Sequence, residues 1–140
     1  MIAIDTSVAV DFLRGKEPSV SSLESELKAT DIVGISSVSL FELLHPIYHR
    51  KLTTQEKVVK SFVRRLRLLP LDSDAAEESA KIMGSLLRIG QPVNALDVLI
   101  AGTALSNGAE KVISADRDYE KIGRVSGLKV EILEREAEER

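Results

Sequence analysis

Runs of three or four apolar residues, too short for helices, recur between longer segments of helical periodicity, and this alternation restricts the fold more than any other feature. Ile2–Ile4, Ile32–Ile35, Leu68–Leu71, Val112–Ser114 and Val130–Leu133 read as strands. Helices are predicted over Ser7–Arg14, from Pro18 to about Ala29, from a Ser36 or Ser37 cap to His49, and from Thr53 or Thr54 to Arg67. Two more are predicted over Ser73–Ile89 and Asn94–Ser106, stopped by Gly90 and by Asn107-Gly108. Strands separated by crossover helices predict an α/β domain with a central, mainly parallel sheet of about five strands flanked by helices.

The chain has 140 residues, enough for one domain with a sizeable core, and carries no repeat or linker. Residues 1–133 are expected to form that domain. The charged stretch 134–140, which lacks an apolar stripe, is expected to be a solvated tail. The absence of cysteine excludes thiol chemistry, disulfides and zinc–cysteine sites. The apolar N-terminus is too short for a signal sequence, and no run approaches the roughly 20 apolar residues of a membrane span. A soluble, cytoplasmic protein without membrane contact is the expectation. A net charge of −3 argues against a broad basic nucleic-acid surface, but not against a small site where metal ions neutralise a phosphate.

Four acids stand where a core would put something apolar or neutral. Asp5 ends the first strand, and Glu42 interrupts Val38-Ser-Leu-Phe-Glu-Leu-Leu44. Asp97 opens a helix that is apolar almost all round, and Asp116 follows Lys111-Val-Ile-Ser-Ala115. A buried carboxylate without a partner costs several kcal/mol, so four of them require compensation. Divalent cations such as Mg²⁺, which prefer oxygen ligands, would supply it, pointing to metal-assisted chemistry on a phosphate-bearing substrate. In open parallel sheets sites form beyond the carboxyl ends of the strands, where Asp5 and Asp116 both fall.

Each acid also has a structural explanation. Asp5 suits a helix N-cap, and Asn94 with Asp97 has the spacing of a capping box. Asp116 suits a turn, with Asp118 competing for any ligand role and Arg117 available to neutralise either. Glu42 is the hardest to explain in this way, because its neighbours leave little polar face. Asp72 and Asp74 are accounted for by an N-cap on the following helix, and Asp31 by a turn. His45 and His49, four residues apart, lack the glutamate of the metalloprotease motif and a third ligand, so they are expected to be surface residues. Lys57, Lys60, Arg64 and Arg67 share one predicted helix face, which is expected to be solvated or, alternatively, to track phosphates.

Together these segments resemble the PIN-domain ribonucleases, and among them the single-domain VapC-type toxins of prokaryotic toxin–antitoxin pairs. The opening Ile-Asp-Thr-Ser is similar to the family's first acidic segment, with Asp5 and the neighbouring hydroxyl Thr6. Ser36-Ser-Val-Ser-Leu-Phe-Glu-Leu is similar to its second, and Asp97-Val-Leu-Ile-Ala-Gly-Thr-Ala to its third. Ser114-Ala-Asp-Arg-Asp-Tyr119 is similar to its Thr-x-Asp-x-Asp-Phe segment, departing from it at Ser114 and Tyr119. The resemblance implies that Asp5, Glu42, Asp97 and Asp116 are catalytic and hold one or two Mg²⁺ or Mn²⁺ ions. It makes Thr6, Ser114 and Asp118 supporting residues and implies hydrolysis of RNA by a homodimer that a cognate antitoxin blocks. A haloacid-dehalogenase-like phosphatase is disfavoured because Ser7 occupies the place of its second Asp. A nucleotide-binding module is disfavoured because no glycine-rich loop follows a strand. A PIN domain acting mainly as a binding partner, or a housekeeping nuclease without an antitoxin, is the alternative.

Overall fold

The computed structural model describes residues 1–29 and 32–135. The predicted turn at Asp31 and positions 136–140 of the tail lie outside the described residues. Five strands form one sheet: β1 (Ile2–Ile4), β2 (Val33–Ser36), β3 (Arg67–Leu69), β4 (Lys111–Ser114) and β5 (Lys129–Ile132). Their order is β3-β2-β1-β4-β5, and every pairing is parallel. The helices are α1 (Thr6–Leu13), α2 (Ser19–Ala29), α3 (Ser37–Arg50), α4 (Thr53–Arg64), α5 (Ser73–Arg88), α6 (Ala95–Ser106) and α7 (Asp118–Ser126).

Strand residues alternate between two cores because side chains on a strand have period two. Ile2, Ile4 and Ile113 face a core with Val8, Leu23, Leu43 and Phe62 from α1 to α4. Ala3 and Val112 face the opposite core, with Leu86, Ile100, Tyr119 and Ile122 from α5, α6 and α7. The central strands β2, β1 and β4 are thus buried on both faces, as a parallel sheet requires, while the edge strands β3 and β5 are partly exposed. The chain adds β2 and β3 on one side of β1, then crosses to add β4 and β5 on the other. The β1/β4 boundary is therefore the switch point of a doubly wound sheet, where a crevice opens beyond the carboxyl ends.

Three elements differ from expectation. Helix α4 ends at Arg64 and β3 begins at Arg67, so Arg67 leaves the predicted basic helix face. Helix α7 has no counterpart in the expected elements. It is short and contains Gly123, where a Cβ would stand 3.1 Å from the Leu128 carbonyl oxygen. That glycine is set by close chain return after Gly127, which ends the helix at φ +74°. The first two residues of the charged tail are held: Glu134 pairs with Arg117, and Arg135 Nε lies 2.9 Å from the buried carboxylate of Asp11.

Candidate active site

Asp5 leaves the end of β1 at the switch point and caps α1, its Oδ1 accepting the Val8 N–H at 3.0 Å. The capping reading is thus correct, yet it uses only part of the carboxylate. The Ser7 hydroxyl lies 2.7 and 2.8 Å from the two oxygens, and Ser114, at the end of β4, donates to Oδ2 at 2.5 Å. The same Ser114 oxygen accepts the Asp116 N–H, while Ser7 accepts the Ala115 N–H, each at 2.9 Å. Two hydroxyls thereby tie the ends of β1 and β4 together around one buried carboxylate. Burial outweighs these donors and raises the Asp5 pKa.

Glu42 reaches this edge from the second turn of α3. Its Oε1 accepts from Thr6 at 2.7 Å, and the Thr6 oxygen lies 2.9 Å from Ser39 Oγ. Asp97 sits in the first turn of α6, where Asn94 is the N-cap and accepts the Leu96 N–H. Among the described residues Asp97 makes no reciprocal bond to Asn94, so the capping box is not closed. Its Oδ1 instead faces the Tyr119 hydroxyl at 3.4 Å, a long contact. Burial, then the charges of Asp116, Asp5 and Glu42, push the Asp97 carboxyl up to about 6. All three acids therefore lie near enough to Asp97 for their charges to act on it. Asp116 also keeps its turn role, accepting the Asp118 N–H at 2.9 Å.

The remaining predicted residues divide. Thr6 and Ser114 support the acids as described. Asp118 contributes only its N–H: its side chain is 45% exposed and lies 3.4 Å from Lys121 Nζ. Ser7, Ser39 and Tyr119 were not singled out as supports. In the sequence Ser7 marks a helix start and stands where a phosphatase would need its second Asp, and Tyr119 replaces a commoner phenylalanine; neither pattern points to the acids. Tyr119 is fully buried, and burial together with the four acids raises its pKa, keeping the phenol protonated as a donor. His45 and His49 are exposed, with His45 against the Phe41 ring. Lys57, Lys60 and Arg64 lie on the exposed face of α4, and Lys60 is paired with Glu56.

Among the described residues none of the four acids forms an ion pair. An all-oxygen, uncompensated donor set fits a hard divalent cation. The carboxylates are neighbours and not a closed cage, since among the described residues no three of His, Asp or Glu are grouped to hold an ion.

Two tests follow from this geometry. In the unfolded chain Asp97 returns to an ordinary carboxylate pKa, so the folded state binds an extra proton between about pH 4 and 6. Stability in metal-free buffer must then fall as pH rises through that window. Thermal unfolding in EDTA should show Asp97→Asn gaining on the wild type between about pH 4.5 and 7; a constant difference refutes the assignment. Thr6→Val removes the donor to Glu42 and the partner of the buried Ser39 hydroxyl, so it should lower activity about 10–100-fold and stability by about 1–3 kcal/mol, whereas Thr6→Ser retains both bonds and the activity.

A doubly wound parallel sheet with acidic side chains at its carboxyl edge defines the class of an open α/β domain, and the chain belongs to the PIN-domain family: the family model matches residues 2–125. Over 129 residues the chain is 31% identical to the tRNA(fMet)-specific endonuclease VapC of Shigella flexneri, covering 91% of this chain and 94% of that one. The crystal structure of DNA-bound VapBC from Salmonella typhimurium is similar at 30% identity, with a TM-score of 0.78 over 94% of this chain and 96% of that one. VapBC2 from Rickettsia felis, solved with a DNA fragment from its promoter, matches with a TM-score of 0.81 over 96% and 100% of the two chains. At 20% identity that likeness bears on the fold alone.

Proposed function

We propose that this chain is a Mg²⁺- or Mn²⁺-dependent endoribonuclease that hydrolyses phosphodiester bonds in RNA, and that it acts as the toxin of a VapBC-type toxin–antitoxin pair. The observation that carries the reading is the convergence of Asp5, Glu42, Asp97 and Asp116 without a cationic partner among the described residues. The endonuclease relatives and the VapBC complexes support the assignment to RNA and to an antitoxin-bound state. The same reading implies a homodimer.

Asp5, Glu42, Asp97 and Asp116 would hold the cation. A bound divalent ion supplies a water of lowered pKa and stabilises charge on the phosphate and leaving oxygen. The protein's own residues set the donors in place. Ser7, Ser114 and the Val8 N–H fix Asp5, Thr6 orients Glu42, and the protonated Tyr119 hydroxyl faces Asp97. Such supports fix ligand orientation and basicity.

The open spacing of the carboxylates favours one second reading, a PIN domain that works mainly by binding a partner. Incubating the purified chain, freed of co-purified protein, with labelled single-stranded RNA in EDTA, Mg²⁺ and Mn²⁺ separates the two. Cleavage only with a divalent ion is the expected result. Folded protein that binds neither ion sinks the four-acid site.

A further inference from the structure

A groove of about 500 Å³ runs between α1, α3 and α4 and shares Glu42 with the acidic site. Its size lies in the ~300–1,000 Å³ range of pockets that take small organic groups. Most of its lining is apolar, Leu43 and Ile47 included, and Arg14, Arg50 and Gln55 supply polar groups beside the acidic Glu42. Arg14 is the C-cap of α1 and Arg50 the last residue of α3, so neighbouring helix ends deliver both cations to one groove. Both arginines are exposed. Among the described residues neither forms an ion pair, on a chain of net charge −3.

Two unpaired guanidinium groups in a groove that also reaches Glu42 have the charge complementarity expected for a polyanion. The apolar lining is aliphatic and can cover the apolar faces of sugars and bases without stacking them. A strand whose phosphate reaches the four acids must continue past one wall of the site, and Glu42 is the wall common to site and groove. We propose that the groove holds the single-stranded RNA flanking the scissile phosphate, with Arg14 and Arg50 each binding one backbone phosphate. Gln55 is placed to bond a sugar or base edge. The proposal rests on the ribonuclease reading and adds to it the positioning residues for the strand.

The test uses the full chain and a labelled single-stranded RNA that it cleaves, with KM and kcat measured across a salt series. R14Q/R50Q should raise KM at least about 10-fold, as loss of two charge-assisted contacts implies, and leave kcat at saturation near the wild-type value. The slope of log affinity against log salt should shrink by about 1.4, because each single-strand phosphate contact contributes about 0.7. R14K/R50K keeps both charges and should recover most of the affinity and slope. Unchanged KM and slope in R14Q/R50Q overturn the proposal. Unchanged RNA parameters with loss of the co-expressed antitoxin assign the groove to a protein segment and overturn it equally. A wild type that cleaves no RNA defeats the nuclease reading on its own. Anisotropy with a labelled single-stranded RNA in EDTA then decides the groove: weaker binding by R14Q/R50Q supports it, and equal affinities of wild type and R14Q/R50Q reject it.

Discussion

Asp97→Asn is expected to lower kcat for RNA cleavage by at least about 100-fold, since even groups that only orient metal ligands are worth 10–100-fold. Asparagine keeps the size and one oxygen and removes the charge that would hold the cation. The fold should tolerate the exchange, because the α6 cap is supplied by Asn94 and the Asp97 side chain faces the other acids. The variant should even unfold at a higher temperature than the wild type in EDTA at neutral pH, since one of four mutually repelling charges is gone. Lower activity with higher metal-free stability is the signature of a functional acid, whereas a structural one loses both. Asp5→Asn is a less clean probe. Ser7 and Ser114 both bond the Asp5 oxygens, and an amide would turn one acceptor into a donor facing hydroxyls that already accept N–H bonds.

Gly102→Ala should be the most damaging single-methyl change in the molecule's α5–α6 contact. A Cβ at Gly102 would lie 1.9 Å from Ser79 Oγ and 2.7 Å from both Cα and N of Ser79. The hydroxyl can rotate away, but the main chain of α5 cannot. The helices must separate, at a cost at or above the usual ~1–3 kcal/mol for overpacking, which lowers Tm by roughly 5–10 °C in a domain of this size. Ser79→Gly should fail to rescue it, because the two backbone contacts remain. Since α6 carries Asp97 in its first turn, activity should fall further than stability explains. Calorimetry and cleavage assays on Gly102→Ala and on the double variant check both points; rescue by Ser79→Gly would show that only the hydroxyl is in the way.

The class of fold and most of the site were legible in the linear chain because both follow from local pattern. Short apolar runs between helical segments lead to a parallel sheet, and a parallel sheet leads to a site at its carboxyl edge. Asp5, Glu42, Asp97 and Asp116 could be named because an acid within or closing an apolar run conflicts with the run. Helix α7 was not legible. Gly123 lowers helix propensity, and the close approach of the Leu128 carbonyl that requires it is a contact between separate segments.

The sequence by itself determined where the strands lie, to within a residue or two, and which four carboxylates break the apolar pattern, although of these four only Asp5 is fully buried. Only the tertiary structure decided what each carboxylate touches. It turned the Asp118 side chain outward to Lys121, aimed the Tyr119 hydroxyl at Asp97, and joined β1 to β4 through Ser7 and Ser114. It also brought Arg14 and Arg50 to one groove and set Gly102 against Ser79. Periodicity assigns a residue to a face, because it reports the repeat of its own helix or strand. The partner on that face is set by packing between elements distant in sequence, which no local repeat encodes.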